Sequence, residues 1–116
     1  MSWDRDRERA YEAQYAHGEE AAFKTAARRN RLFAHWAARL LGLHHRETAR
    51  YVEQAVTGDI GHARGHAIIE TVMRDLHDAG IPTPREEVAA MFVQLEARAH
   101  AELAEQEARA ADRSWV

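Results

Sequence analysis

Between residues 22 and 41, apolar side chains return every three or four positions. Ala22, Phe23, Ala26, Phe33, Ala37, Leu40 and Leu41 share one helical face with Asn30, and Leu32 and Trp36 lie at its edge. This is the stripe of a helix with one buried side. Tyr51, Val52, Ala55 and Val56 form a second such face, Ile68, Ile69, Val72, Met73 and Leu76 a third, and Val88, Met91, Phe92, Leu95, Ala99 and Leu103 a fourth. Glycine and proline at Gly42, Gly58, Gly61, Gly65, Gly80, Pro82 and Pro84 separate helical stretches at roughly 4–42, 45–57, 63–79 and 84–110. Strand-type alternation is absent and alanine is abundant, so the predicted fold is all-α. The short connections favour a compact four-helix bundle.

The local signals are uneven. Thr83-Pro84-Arg85-Glu86 predicts a capping box, with Thr83 as cap and Glu86 reaching back. His44-His45-Arg46-Glu47 offers the second helix no good cap. Asp59 is a candidate cap for the next helical stretch. Gly61 and Gly65 are expected to loosen the first turn of the third helix, and Gly80 to close it with Ile81 packing back.

The stretch before the first stripe is different. Residues 3–17 contain no proline and are dense in charge, with Trp3, Tyr11 and Tyr15 interspersed. On a helix, Trp3, Arg7, Ala10, Tyr11, Gln14 and Tyr15 share a face, Asp4, Glu8 and Glu12 form an acidic line, and Arg5 and Arg9 a basic one. The spacings Asp4–Arg7, Arg5–Glu8, Asp6–Arg9 and Arg9–Glu12 suit ion pairs worth a few tenths of a kcal/mol each. That face is too narrow to bury against a core, and a lone helix of about 15 residues is marginal in water. The arm is therefore expected to be disordered or frayed when free and to fold on a partner, hinging near Gly18. A plain solvated tail is the alternative, but three large rings in fifteen residues argue against it. The expected organisation is an arm at 1–18, a bundle at 19–103 and a frayed helix end at 104–116.

Charge sharpens this division. The chain has 116 residues and a net charge of −3, enough for one domain with a modest core. Three arginines and six acidic residues fall within the first twenty positions, so the whole net charge sits there and the remainder is neutral. No overall basic field would attract nucleic acid or an anionic membrane. There is no cysteine, no apolar run near the ~20 residues a membrane helix needs and no hydrophobic signal core. The expected compartment is the cytoplasm, and the expected free state is a monomer.

Little in the chain suggests catalysis. Phosphate-binding loops, nucleophile elbows and carboxylate pairs are absent, and no catalytic residue is predicted. Eight histidines raise the question of metal. His62 and His66 have ligand spacing, but no third ligand is spaced to join them, so a surface pair is the better reading and no metal is predicted. His17 stands at the expected hinge, where a change in its charge would bear on the balance of helix and coil. Asn30 interrupts an apolar stripe and must find hydrogen-bond partners if buried. Arg28, Arg29 and Arg31, with Lys24, surround it. They read either as a solvated basic face or as a site for an acidic partner or a nucleotide phosphate.

The run Asp4-Arg5-Asp6-Arg7-Glu8-Arg9-Ala10-Tyr11-Glu12-Ala13-Gln14-Tyr15-Ala16-His17, followed by Phe23-Lys24, Ala27-Arg28-Arg29-Asn30-Arg31-Leu32, Trp36-Ala37-Ala38 and Leu41-Gly42, resembles the zeta-subunit family of the alphaproteobacterial rotary ATP synthase. The likeness continues more loosely through Tyr51, Asp59 and Asp75-Leu76 to the last helix. It implies a four-helix bundle that binds the catalytic head of the synthase, at its alpha, beta and gamma subunits, and inhibits ATP hydrolysis through its N-terminal segment. The chain would then act in the cytoplasm at the membrane-bound synthase without entering the membrane. The resemblance also implies that rotation in the hydrolysis direction is blocked and rotation the other way releases the arm. A helix of about 15 residues is ~22 Å long, enough to reach a central shaft.

The implied partner-binding residues are Trp3, Asp4, Arg5, Arg7, Glu8, Arg9, Tyr11, Glu12, Gln14, Tyr15 and His17, with the tyrosines as anchors. Three features depart from the resemblance: Gln14 where a lysine is expected, Gly18 where an acidic residue is expected, and Gly61-His62-Ala63-Arg64-Gly65-His66 in place of an acidic loop. They motivate an alternative of another class: a nucleotide-sensing bundle with weak binding through Arg28, Arg29, Asn30 and Arg31. No other cofactor is expected.

Overall fold

The computed structural model describes residues 3–58 and 65–113. Helix α1 runs Trp3–Leu41, α2 His45–Gly58, α3 His66–Asp78 and α4 Arg85–Arg113, and no strand occurs among the described residues. The chain is all-α, a four-helix bundle whose first helix greatly outruns the other three. At 1.5 Å per residue, α1 is about 58 Å long, and the longest dimension of the molecule is 66 Å.

The helix ends follow from glycine. At the end of α1, the Gly42 N–H donates to Arg39 O and the Leu43 N–H to Ala38 O, both at 3.1 Å. At the end of α3, the Gly80 N–H donates to His77 O at 3.0 Å and the Ile81 N–H to Leu76 O at 2.9 Å. Both are Schellman closures, with Gly42 and Gly80 at positive φ. They turn the chain sharply enough for neighbouring helices to pack.

The core gathers the predicted faces of all four helices. Phe33, Ala34, Ala37 and Ala38 of α1 are buried with Val52, Ile68, Val72, Leu76, Val88, Phe92, Leu95 and Ala99. Phe33 meets the Phe92 ring edge-on at 5.3 Å between centroids and stacks on Trp36 at 5.5 Å, both favourable aromatic geometries. On the flank, the half-buried Tyr51 hydroxyl donates to Asp75 Oδ2 at 2.8 Å and ties α2 to α3. Burial first, and then the hydrogen bond and charge of Asp75, push this hydroxyl well above its ordinary pKa, so it remains a donor.

Several expectations are corrected. The arm, expected to be frayed or disordered, is an unbroken helix from Trp3 through Gly18 into the bundle. It extends a helix already nucleated by packing and so avoids the unfavourable first turn that a separate peptide would have to form. Residues 104–113, expected to fray, continue α4 to Arg113. Arg109 pairs there with Glu105 at 2.7 Å, one turn away. The Thr83 capping box does not form. Pro84 O accepts from the Glu87 and Val88 N–H groups, which places Thr83 one residue too early to cap. Its hydroxyl donates to Ile81 O instead. Gly65 does not loosen α3 but precedes it, buried, at φ +70°. Phe23, Leu40 and Ala22, assigned to the core, are exposed. The cap proposed at Asp59, the loosening proposed at Gly61 and the ligand spacing of His62 lie outside the described residues.

Candidate interaction arm and the groove at its base

Every residue from Asp4 to Glu20 is exposed. Partial burial starts at Ala21, and full burial at Arg29. The free part of α1 therefore extends two residues beyond the expected boundary at Gly18. Asp4, Arg5, Arg7, Glu8, Arg9, Tyr11, Glu12, Gln14, Tyr15 and His17 all stand on this projecting helix, clear of the bundle. Trp3 begins it, and the Trp3 side chain lies outside the described residues. Tyr11 is 75% exposed and Tyr15 65%.

None of the four predicted arm ion pairs forms among the described residues; the pair nearest to the arm is Lys24–Glu20 at 3.3 Å. Exposed charges gain too little from pairing to fix their long side chains. The arm thus presents these ten predicted side chains, and Asp6 and Glu19 with them, with their hydrogen-bonding groups available to another molecule.

Gly18 stands within this helix with nothing within 4 Å of the position a Cβ would occupy. Alanine in place of an exposed helical glycine gains about 1 kcal/mol of helix stability. The Gly18→Ala variant is therefore expected to slow amide hydrogen exchange across the arm by about fivefold, with the bundle's melting temperature unchanged. Equal exchange in the two proteins would contradict a helical arm at this position.

The basic cluster behind the arm separates into two environments. Arg29 and Asn30 are buried, at 1% and 4% exposure. Arg29 Nε donates to Asn30 Oδ1 and its Nη1 to Glu96 Oε1, each at 3.0 Å, and its Cζ lies 4.5 Å from the centroid of the Phe92 ring. These two residues are part of the α1–α4 packing. Arg28 and Arg31 point elsewhere and line an open groove of about 510 Å³ with Phe23, Lys24, Ala27, Leu32, His35, Glu102 and Leu103.

Arg28 bridges the helices beside that groove. Its Nε donates to Glu102 Oε2 at 3.0 Å and its Nη1 to Gln106 Oε1 at 3.3 Å, while Arg98 Nε donates to Glu102 Oε1 at 2.7 Å. The Arg98 hydrogen bond above all, with the charges of both arginines, holds the Glu102 carboxyl below the usual carboxylate range against the opposing effect of desolvation. Its share of stability is present at neutral pH and is lost as pH falls through the carboxylate range.

The arrangement therefore consists of a long exposed helix with two exposed tyrosines, a groove lined by basic side chains at its base and a packed bundle behind. The ATPase inhibitor subunit zeta family model matches residues 1–102. The chain belongs to that family. No curated protein and no solved structure matches it. In this zeta-family chain the match takes in the whole arm, the basic cluster and the core, and ends at Glu102. Helix α4 continues beyond it to Arg113.

The sequence had assigned Phe23 and Leu103 to the core and Lys24 to the basic cluster, and had given His35 no role. Their common groove arises because α1 has no apolar partner at Phe23, and only the folded chain brings Glu102 and Leu103 beside it. Among the described residues there is no group of three potential metal ligands, and no helix is long and apolar enough to cross a membrane. His66 is exposed at the start of α3, and His62 lies outside the described residues.

Proposed function

We propose that this zeta-family chain is a regulatory inhibitor of the rotary ATP synthase, acting through its arm, and not an enzyme. The observation that carries the reading is the exposed arm helix 4–20 with Tyr11 and Tyr15 unburied, in a chain of an ATPase inhibitor family. Seventeen helical residues span about 26 Å. Such a helix enters a catalytic interface of the soluble head, formed by the alpha and beta subunits, and reaches toward the gamma subunit. Tyr11 and Tyr15 act as buried anchors there, the role in which tyrosine is enriched at interfaces. Trp3, Gln14 and His17 join the contact, and Asp4, Arg5, Arg7, Glu8, Arg9 and Glu12 pair across it. A helix already formed spares the ordering cost that a disordered segment would incur on binding. Closure of the interface around the arm stops rotation in the hydrolysis direction, in the cytoplasm at the membrane-bound enzyme.

The test is ATP hydrolysis by the cognate synthase with added protein. Hydrolysis is expected to fall with the full chain and to be restored when residues 1–18 are removed. Tyr15→Ala is expected to weaken inhibition at least tenfold, about the effect of losing a central aromatic anchor. Full hydrolysis in the presence of micromolar intact chain would overturn the reading.

A second reading, weak nucleotide binding by the bundle, draws on the open groove lined by Arg28 and Arg31. Arg29 and Asn30 are engaged in packing and contribute to it only through the fold. An NMR titration with ATP that leaves the Arg28 and Arg31 resonances in place removes it.

A further inference from the structure

The groove at the base of the arm has a specific composition. Lys24, Arg28, Arg31 and His35 recur at i, i+4, i+7 and i+11 on α1 and line one wall. Ala27, Leu32 and Leu103 supply apolar surface, and Phe23 stands at the open end, 61% exposed. The one carboxylate lining the groove, Glu102, already accepts from Arg28 and Arg98. Phe23 is thus exposed beside Lys24, Arg28 and Arg31, of which Lys24 pairs with Glu20 and Arg28 with Glu102.

The spacing says what fits. Eleven residues of helix span about 16 Å, so these side chains are strung along three turns and do not converge on one phosphate. An extended or helical segment with several carboxylates and one apolar side chain for Phe23 matches that row. The acidic arm of a second copy is the occupant nearest to hand, but geometry disfavours it. At 100° per residue, the line Asp4, Glu8 and Glu12 lies roughly 170° around α1 from the basic row. Two copies lying antiparallel cannot turn both faces toward each other along a straight helix. The groove is also on the same continuous helix as the arm, starting three residues after Glu20. A body whose cleft surrounds the arm also reaches this opposite side of the same helix.

We propose that this groove is a second docking surface, which takes an acidic segment with an apolar anchor from the partner that the arm enters. The inference rests on the proposed inhibitor role. The arm supplies the block, and the groove captures and orients the chain through charge steering at the mouth of the cleft.

The experiment compares full-length wild type with Arg31→Glu and Phe23→Ser in binding to, and inhibition of, the isolated catalytic head at low and moderate salt. Arg31 and Phe23 are both exposed, so the melting temperatures are expected to stay at the wild-type value. Arg31→Glu is expected to slow association by about tenfold at low salt and to flatten the salt dependence. Phe23→Ser is expected to raise the half-inhibitory concentration by about fivefold. Wild-type association and inhibition by both variants would overturn the groove proposal. Tyr15→Ala in the same assay separates the two claims. If Tyr15→Ala alone loses inhibition, the arm reading stands and the groove fails; if the groove variants alone lose it, the arm reading fails. Sedimentation of the wild type to a dimer that Arg31→Glu dissolves would assign the groove to a second copy and also overturn the proposal.

Discussion

Replacing Gly65 by alanine is expected to lower the melting temperature by more than about 10 °C, the largest loss expected from an added methyl group at any of the described glycines. Two costs add at this position. The backbone is left-handed at φ +70°, which costs a residue with a Cβ about 1–2 kcal/mol. The new Cβ would also lie 2.2 Å from Phe92 Cζ and 2.7 Å from its Cε2, well inside contact distance. Phe92 cannot easily yield. It is 6% exposed, with Phe33 on its edge and the Arg29 guanidinium over its face. Overpacking of this kind costs a further 1–3 kcal/mol or so. The sum, about 2–5 kcal/mol, is a large part of the marginal stability of a small domain, and each kcal/mol shifts the midpoint by about 4–8 °C at this size. Gly42 and Gly80 are internal controls. They have nearly the same φ, at +71° and +73°, with nothing within 4 Å of an added Cβ. Gly80→Ala should lose only the backbone contribution, a few degrees in thermal denaturation. Equal losses at Gly65 and Gly80 would show that the contact with Phe92 does not matter.

Gly65 also shows where reading the sequence stops. Together with Gly61 it suggested a loosened helix, because propensity treats glycine as a local cost. Its contact with Phe92 depends on a residue twenty-seven positions later, which no local signal records. Where the signal was periodic, it was dependable: Phe33, Ala37, Val52, Ile68, Val72, Leu76, Val88, Phe92, Leu95 and Ala99 were all placed inside and are all buried. The same periodicity over-extended at Phe23, because an apolar face is buried only where another element covers it, and the α4 pattern ends at Leu103. Capping chemistry failed at Thr83 by a single residue, the usual precision of helix starts. In the arm, composition marked the segment as separate from the core and the pattern gave one helical stretch over 4–42, but it could not reveal that packing further along would hold the arm helical through Gly18. Within the basic cluster, Arg28, Arg29, Asn30 and Arg31 looked like one group. The helical turn between them divides it, so that Arg29 and Asn30 enter the interior while Arg28 and Arg31 line the groove.

That division carries the second large effect. Arg29→Ala is expected to destabilise the bundle by about 2–4 kcal/mol, whereas Arg31→Ala should stay within about 0.5 kcal/mol, as exposed positions do. The guanidinium is 1% exposed and meets three different groups: the Asn30 amide oxygen, the Glu96 carboxylate and the face of Phe92. Breaking a fully buried pair costs about 3–5 kcal/mol, but the Glu96 side chain is 47% exposed and can turn to water when its partner is lost. The cost falls instead on the emptied volume, on the lost cation–π contact, worth about 2 kcal/mol when desolvated, and on Asn30, whose oxygen loses a buried donor. Lysine cannot substitute well, because one ammonium has no planar fork with which to bridge Asn30 and Glu96 while stacking on a ring. Arg29→Lys should therefore lie nearer to alanine than to wild type in chemical denaturation. Arg29→Met, which keeps the volume and removes the charge, should recover part of the loss. If Arg29→Ala instead unfolds at the wild-type denaturant concentration, the buried guanidinium is not what joins α1 to α4. With the expected result, loss of inhibition in an Arg29 variant reports on the fold, while loss in an Arg31 variant of unchanged stability reports on contact with the partner.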